Sequence, residues 1–97
     1  MLYIAFVKNR PRVGGAGNVD MLAKSRKWWN EGGRPAGLKT LAFYGALGTK
    51  TPAVLVFEAG NHDEIRTMVD YWSEVEFEIH PAFDMAEVFR KQGMKVA

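Results

Sequence analysis

The stretch "LYIAFV", residues 2–7, is apolar from end to end, and how it is read decides the fold. It is too short for a buried helix and rich in the β-branched and aromatic residues that favour strands. A strand with one face in water alternates apolar with polar, and this one does not. A second such run, "AVLVF" at residues 53–57, behaves the same way. Residues 75–83, "VEFEIHPAF", do alternate, setting Phe77, Ile79 and Phe83 against Glu76, Glu78 and His80. Pro81 makes that strand an edge or a bulge, because it cannot donate to a ladder on both sides. A fourth strand falls at residues 38–46, and "GTKT" turns it into the run at 52–59.

Two helical patterns lie between these strands. Asp20 is placed to cap a helix over residues 20–31 that ends at Gly32 and Gly33. Its stripe is Met21, Leu22, Ser25, Trp28 and Trp29, with Lys24 and Lys27 off it. Asn61, with Glu64 three residues later, makes a capping box for a second helix that buries Ile65, Met68, Val69 and Trp72. Asp84 and Glu87 open a short terminal helix carrying Met85, Val88 and Phe89, which Gly93 closes. The order βαββαβ with a tail helix is α+β and ferredoxin-like, and right-handed crossovers put both main helices on one sheet face. Two helices cover one face only. The doubly apolar strands therefore predict a second copy of the chain, its sheet packed face to face with this one as a dimeric α/β barrel.

Composition bounds the rest. The 97 residues suit a single domain spanning 1–97. Hydrophobic residues at 47% and charged residues at 25% fit a globular protein rather than a disordered one. No apolar run nears the ~20 residues that span a bilayer, so no membrane partner is expected. The absence of cysteine excludes disulfides and thiolate chemistry, and fits a cytoplasmic protein. A net charge of +2 permits acidic partners without arguing for them.

The run "VDYWSEVEFEIHPAFDMAEV", residues 69–88, resembles the C-terminal signature of an uncharacterised domain family of the dimeric α/β-barrel superfamily. That signature reads W-[ST]-D-L-x-[DE]-F-E-V-x-P-V; Trp72 and Ser73 match its start, and Phe77, Glu78 and Pro81 match its end once one position of the signature is skipped. "PAGLKTLAFYG" is similar to the family's Pro-x-Gly-[LV]-K-x-L lead-in to its second strand, and "LVFEAGNHDEI" to the exit from its third. The likeness covers residues 35–88 well and the first 34 loosely. It implies the dimeric barrel and carries no established activity. His80, where members have a small apolar residue or Thr, departs from the pattern, as does the long glycine-rich loop. In the wider superfamily such a cavity holds flat aromatic or haem-like molecules, which the resemblance alone suggests here.

Four features could carry chemistry. In "RPRVGGAGNVD", Asp20 stands where a dinucleotide fingerprint needs its third glycine and would repel a phosphate, so the loop at 9–19 reads as a lid or a connection. Glu76, Glu78 and His80 line one strand face. The row lacks a third and fourth metal ligand, so no metal is expected; His80 with Glu78 is acid–base equipment looking into the space between the two sheets, and Glu58 is a second orienting partner. Trp28 and Trp29 diverge by about 100° on a helix, so one is core and the other at a rim. Phe43 and Tyr44 alternate faces. Trp29, Arg34, Tyr44 and Glu58 are thus the candidate ligand contacts. Basic residues cluster in the first third of the chain, but the strand at 53–57 lacks the aromatic pattern of RNA-recognition modules, and nucleic-acid binding is not favoured. The reading is a homodimer that binds a small, partly apolar molecule in the interior of the barrel, with no cofactor implied and cofactor-independent catalysis left open; the alternative is an interaction protein with no ligand.

Overall fold

The computed structural model describes residues 1–10, 21–47 and 52–97. Its elements run β1 (Leu2–Asn9), α1 (Met21–Asn30), β2 (Lys39–Tyr44), β3 (Ala53–Glu58), α2 (His62–Tyr71), β4 (Val75–Pro81) and α3 (Met85–Lys91). The four strands form one antiparallel sheet in the order β2-β3-β1-β4. The fold is ferredoxin-like. The two uniformly apolar strands, β1 and β3, are the two central ones, and alternating β4 is an edge. Asp20, the glycine-rich loop from residue 11 onward and the turn at 48–51 lie outside the described residues. Asn9 belongs to the sheet rather than to a loop, and Arg10, just past the strand, is tied to the neighbouring chain segment. Asn9 pairs with Val75, and Arg10 donates from its backbone to the Glu74 carbonyl and from Nε to the Val75 carbonyl.

Residues directly opposite one another in an antiparallel ladder share a face. Tyr3, Ala5 and Val7 of β1 stand opposite Phe57, Leu55 and Ala53 of β3, and opposite Pro81, Ile79 and Phe77 of β4. This face carries the helices. Its buried cluster joins Tyr3, Ala5, Leu55 and Phe57 to Trp28 of α1, Met68 of α2, and Leu38 and Ala59 at strand ends. Tyr3 and Phe57 stack at 5.5 Å, and burying a ring such as Phe57 contributes roughly 1.5–3 kcal/mol. The opposite face presents Leu2, Ile4 and Phe6 beside Val54 and Val56, none of which belongs to that cluster.

The helix ends follow from local chemistry. Asn61 accepts the Glu64 N–H at 3.0 Å while the Glu64 carboxylate accepts the N–H groups of Asn61 and Gly60. Asp84 caps α3 by accepting the Glu87 N–H. At the other end Gly93 takes φ +85°, its N–H reaching Arg90 and that of Met94 reaching Phe89, the paired bonds of a Schellman closure.

Four expectations need correction. Phe83 is exposed and lies beyond β4, which ends at Pro81, so the alternation does not extend to it. Leu22 is also exposed, and the buried stripe of α1 narrows to Trp28. Lys24, assigned to the solvent side, is half-buried: its Nζ lies 2.7 Å from Glu74 and 4.9 Å from the centre of the Tyr71 ring. β2 is shorter than its sequence pattern and carries an irregularity between Thr40 and Ala42 that leaves Leu41 without a partner in the register. That extra residue keeps Thr40 and Phe43 on the helix face and puts Ala42 and Tyr44 on the other.

Candidate functional site

Between α1, α2 and the sheet lies a cavity of about 210 Å³. Leu55 and Phe57 form its floor, and Trp28, Met68, Trp72 and Phe77 line its sides. Trp28, Tyr71 and Trp72 form an aromatic cluster in which Trp28 lies 4.7 Å from Tyr71 and 5.9 Å from Trp72. The cluster is fixed from outside, because the Tyr71 hydroxyl donates to the Lys24 carbonyl at 2.8 Å and Lys24 is held by Glu74. That hydrogen bond from Lys24, more than its charge, holds the Glu74 carboxyl below its ordinary value, against the opposing effect of burial.

The rim of the cavity is different in character. Trp29 and Phe43, 43% and 52% exposed, stand there with Arg34 and Thr40. Adjacent positions on α1 send Trp28 into the core and Trp29 outward, as the 100° step requires. Arg34 sits in the loop that leaves α1, where Gly32 at φ +80° reverses the chain and a side chain at Gly33 would press on the Lys27 carbonyl. Its guanidinium donates from Nη1 to the Leu38 carbonyl and lies 5.9 Å from the centre of the Trp29 ring. Its Nε is buried with no hydrogen-bond partner.

The remaining candidates are on the other side of the sheet. His80 pairs with Ile4, Glu78 with Phe6, Glu58 with Leu2, and Tyr44 with Val54, all on the face away from the helices. The His80 Nε2 and the Glu78 carboxylate are 3.1 Å apart, and the His80 ring meets Phe6 edge-on at 6.5 Å. Glu58 is separated from β4 by the width of β1. Glu76 lies 3.8 Å from Lys8. Among the described residues no three His, Asp or Glu side chains gather as metal ligands. Trp29 and Arg34 thus meet in one place, while Tyr44, Glu58, Glu78 and His80 share another surface with the sheet between the two. Sequence reasoning missed that Phe43 and Thr40 join the first group, since the irregularity at Leu41 sets their face.

A family model described as a domain of unknown function, DUF3303, matches residues 1–93. The chain belongs to the DUF3303 family. The match takes in the described strands and helices and both groups of candidate residues. It also takes in the stretch at 69–88 on which the family resemblance rests, and Phe77 of that stretch lines the cavity while Glu78 faces away from it. No curated protein matches the chain. No helix among the described residues is long and apolar enough to cross a membrane.

Proposed function

We propose that this DUF3303 domain binds a small, partly apolar molecule in the cavity between its helices and its sheet. The observation that carries the reading is the cavity itself. It is an apolar recess of about 210 Å³ that opens at the rim where Trp29 and Phe43 stand half-exposed, so water can enter it. Water held against apolar walls is readily displaced by an apolar group, so a recess of this build suits a ligand. Its build agrees with what ligand sites share: mostly apolar walls and a few polar groups at one end. Its volume suits a molecule of one or two rings and is far too small for a haem.

The test is a fragment screen followed by fluorescence and NMR, with Thr40→Trp as a plug at the rim of β2. Binders should perturb Trp29 and Phe43, and the plugged variant should lose them while keeping its circular dichroism. If no fragment binds, or if binders are indifferent to the plug, the reading is wrong.

A second reading is favoured by the other sheet face. Leu2, Ile4, Phe6, Val54 and Val56 form an apolar surface outside the helix-side core, and a second copy of the chain is the cover proposed for it. In that homodimer His80 and Glu78, with Tyr44 and Glu58 on the same face, would stand between the sheets as the acid–base pair of any chemistry performed there. His80→Ala would then abolish such chemistry and leave ligand binding in the helix-side cavity intact.

A further inference from the structure

We propose that the occupant of the cavity is a small aromatic acid, its ring against Trp29 and its carboxylate on Arg34; this deepens the ligand-binding reading and rests on it. A guanidinium presents its N–H donors as a planar fork. In Arg34 one arm is committed, Nη1 to the Leu38 carbonyl. Nε is buried and unpartnered. Among the described residues no Asp or Glu forms an ion pair with Arg34. Nη2 is therefore the unmatched arm, able to take a carboxylate oxygen in a charge-assisted hydrogen bond, while Nε, closed to solvent, is reached only if the side chain shifts toward the ligand. A buried donor without a partner is costly, and a cation beside an otherwise apolar cavity selects for an anion.

The neighbours narrow the class. The guanidinium carbon stands 5.9 Å from the centre of the Trp29 ring, so charge and a flat π surface are offered together. Half-exposed Phe43 lines the same cavity and adds a second aromatic contact. Few other polar groups are at hand. Ser25 donates its hydroxyl to the Met21 carbonyl, which leaves the hydroxyl of Thr40. A phosphoryl group, with three oxygens to satisfy, finds too few donors, whereas a carboxylate needs only the guanidinium and the Thr40 hydroxyl. Size agrees: an engineered apolar cavity of about 150 Å³ accepts benzene, so about 210 Å³ takes a ring with a short acid arm.

The probes are benzoate and indole-3-acetate against their neutral counterparts benzamide and indole-3-acetamide, followed by tryptophan fluorescence and by NMR at neutral pH. Each acid should bind at least about tenfold more tightly than its amide, the ratio expected for a charge-assisted pair over a neutral one. Arg34→Gln should bring acid and amide together without weakening the amide. Arg34→Lys, which keeps the charge and loses the fork, should fall between, and it supplies the test if Arg34→Gln does not fold. Acids binding no better than amides, or a preference that survives Arg34→Gln, would overturn the inference while leaving the cavity a ligand site. Binding of neither acids nor amides would remove both.

Discussion

A methyl group on Gly37 would run into the Glu64 carboxylate, the same carboxylate that accepts the N–H groups of Gly60 and Asn61 at the start of α2. Gly37→Ala should therefore push Glu64 off its donors and cost about 1 kcal/mol, the usual worth of a helix cap, measured by urea unfolding. An unchanged midpoint would mean that Glu64 swings aside and keeps its bonds. The cap was legible in the sequence because its two residues are three apart; the role of Gly37, 27 positions earlier, was not. Lys24 and Glu74 teach the same lesson at a separation of 50. Periodicity assigns Lys24 to solvent, and only the tertiary fold supplies the partner. The Glu74 carboxyl is held below its ordinary value of 4.5, so the folded chain takes up this proton less readily than the unfolded one. The resulting stability is complete above that ordinary value and fades as pH falls through the lower folded one. Glu74→Gln should cost about 1 kcal/mol or less at pH 7, given a pair still partly in water, and the gap to the parent should narrow as pH falls below 4.5. A gap that stays constant as the solution is acidified would remove the ion pair from the account.

The elements were legible where chemistry is local and less so where register intervenes. Asn61 and Asp84 opened the two later helices as their spacing with Glu64 and Glu87 indicated, and Gly93 closed α3. β2 was overextended because nothing in its composition marks Leu41 as the extra residue. That one irregularity decides that Phe43, rather than Tyr44, looks into the cavity. It explains why the candidate contacts, drawn from one sequence argument, fall on two sides of the sheet. α3 raises a different question. None of its residues is buried, yet Met85, Val88 and Phe89 are apolar and exposed. An isolated helix of this length is marginal in water. In the monomer it contributes little, so a chain ending at residue 83 should unfold within roughly 1 kcal/mol of the parent, the scale of surface changes. A larger loss would place α3 against a partner surface.

For the molecule as a whole the informative contrast is between the two faces of one sheet. Tyr3, Ala5 and Phe57 pack under helices, while Ile4, Phe6, Val54 and Val56, alternating with them along the same strands, do not join that core. Strands that need only one buried face do not carry apolar residues on both, so the second face argues for a second sheet. The same pattern gave the fold its central strands, because only β1 and β3 have neighbours on both sides. Which residues would meet across the interface could not be read, since that depends on how two sheets are rotated against one another. Light scattering at micromolar concentration should give about twice the 10.9 kDa chain mass, with closed two-fold symmetry the commonest arrangement. Ile4→Glu is the discriminating variant. Ile4 sits between Val56 and His80 on the outer face, so a carboxylate there leaves the Ala5 side of the strand untouched. It would be tolerated by a monomer, where it meets water, and resisted by an interface, where it would be buried beside a His80 that Glu78 already holds. The expected result is a folded chain of single mass that retains its helix-side cavity. A parent protein that scatters as a monomer, or an Ile4→Glu variant that remains paired, would show that the apolar outer face is not where two copies meet.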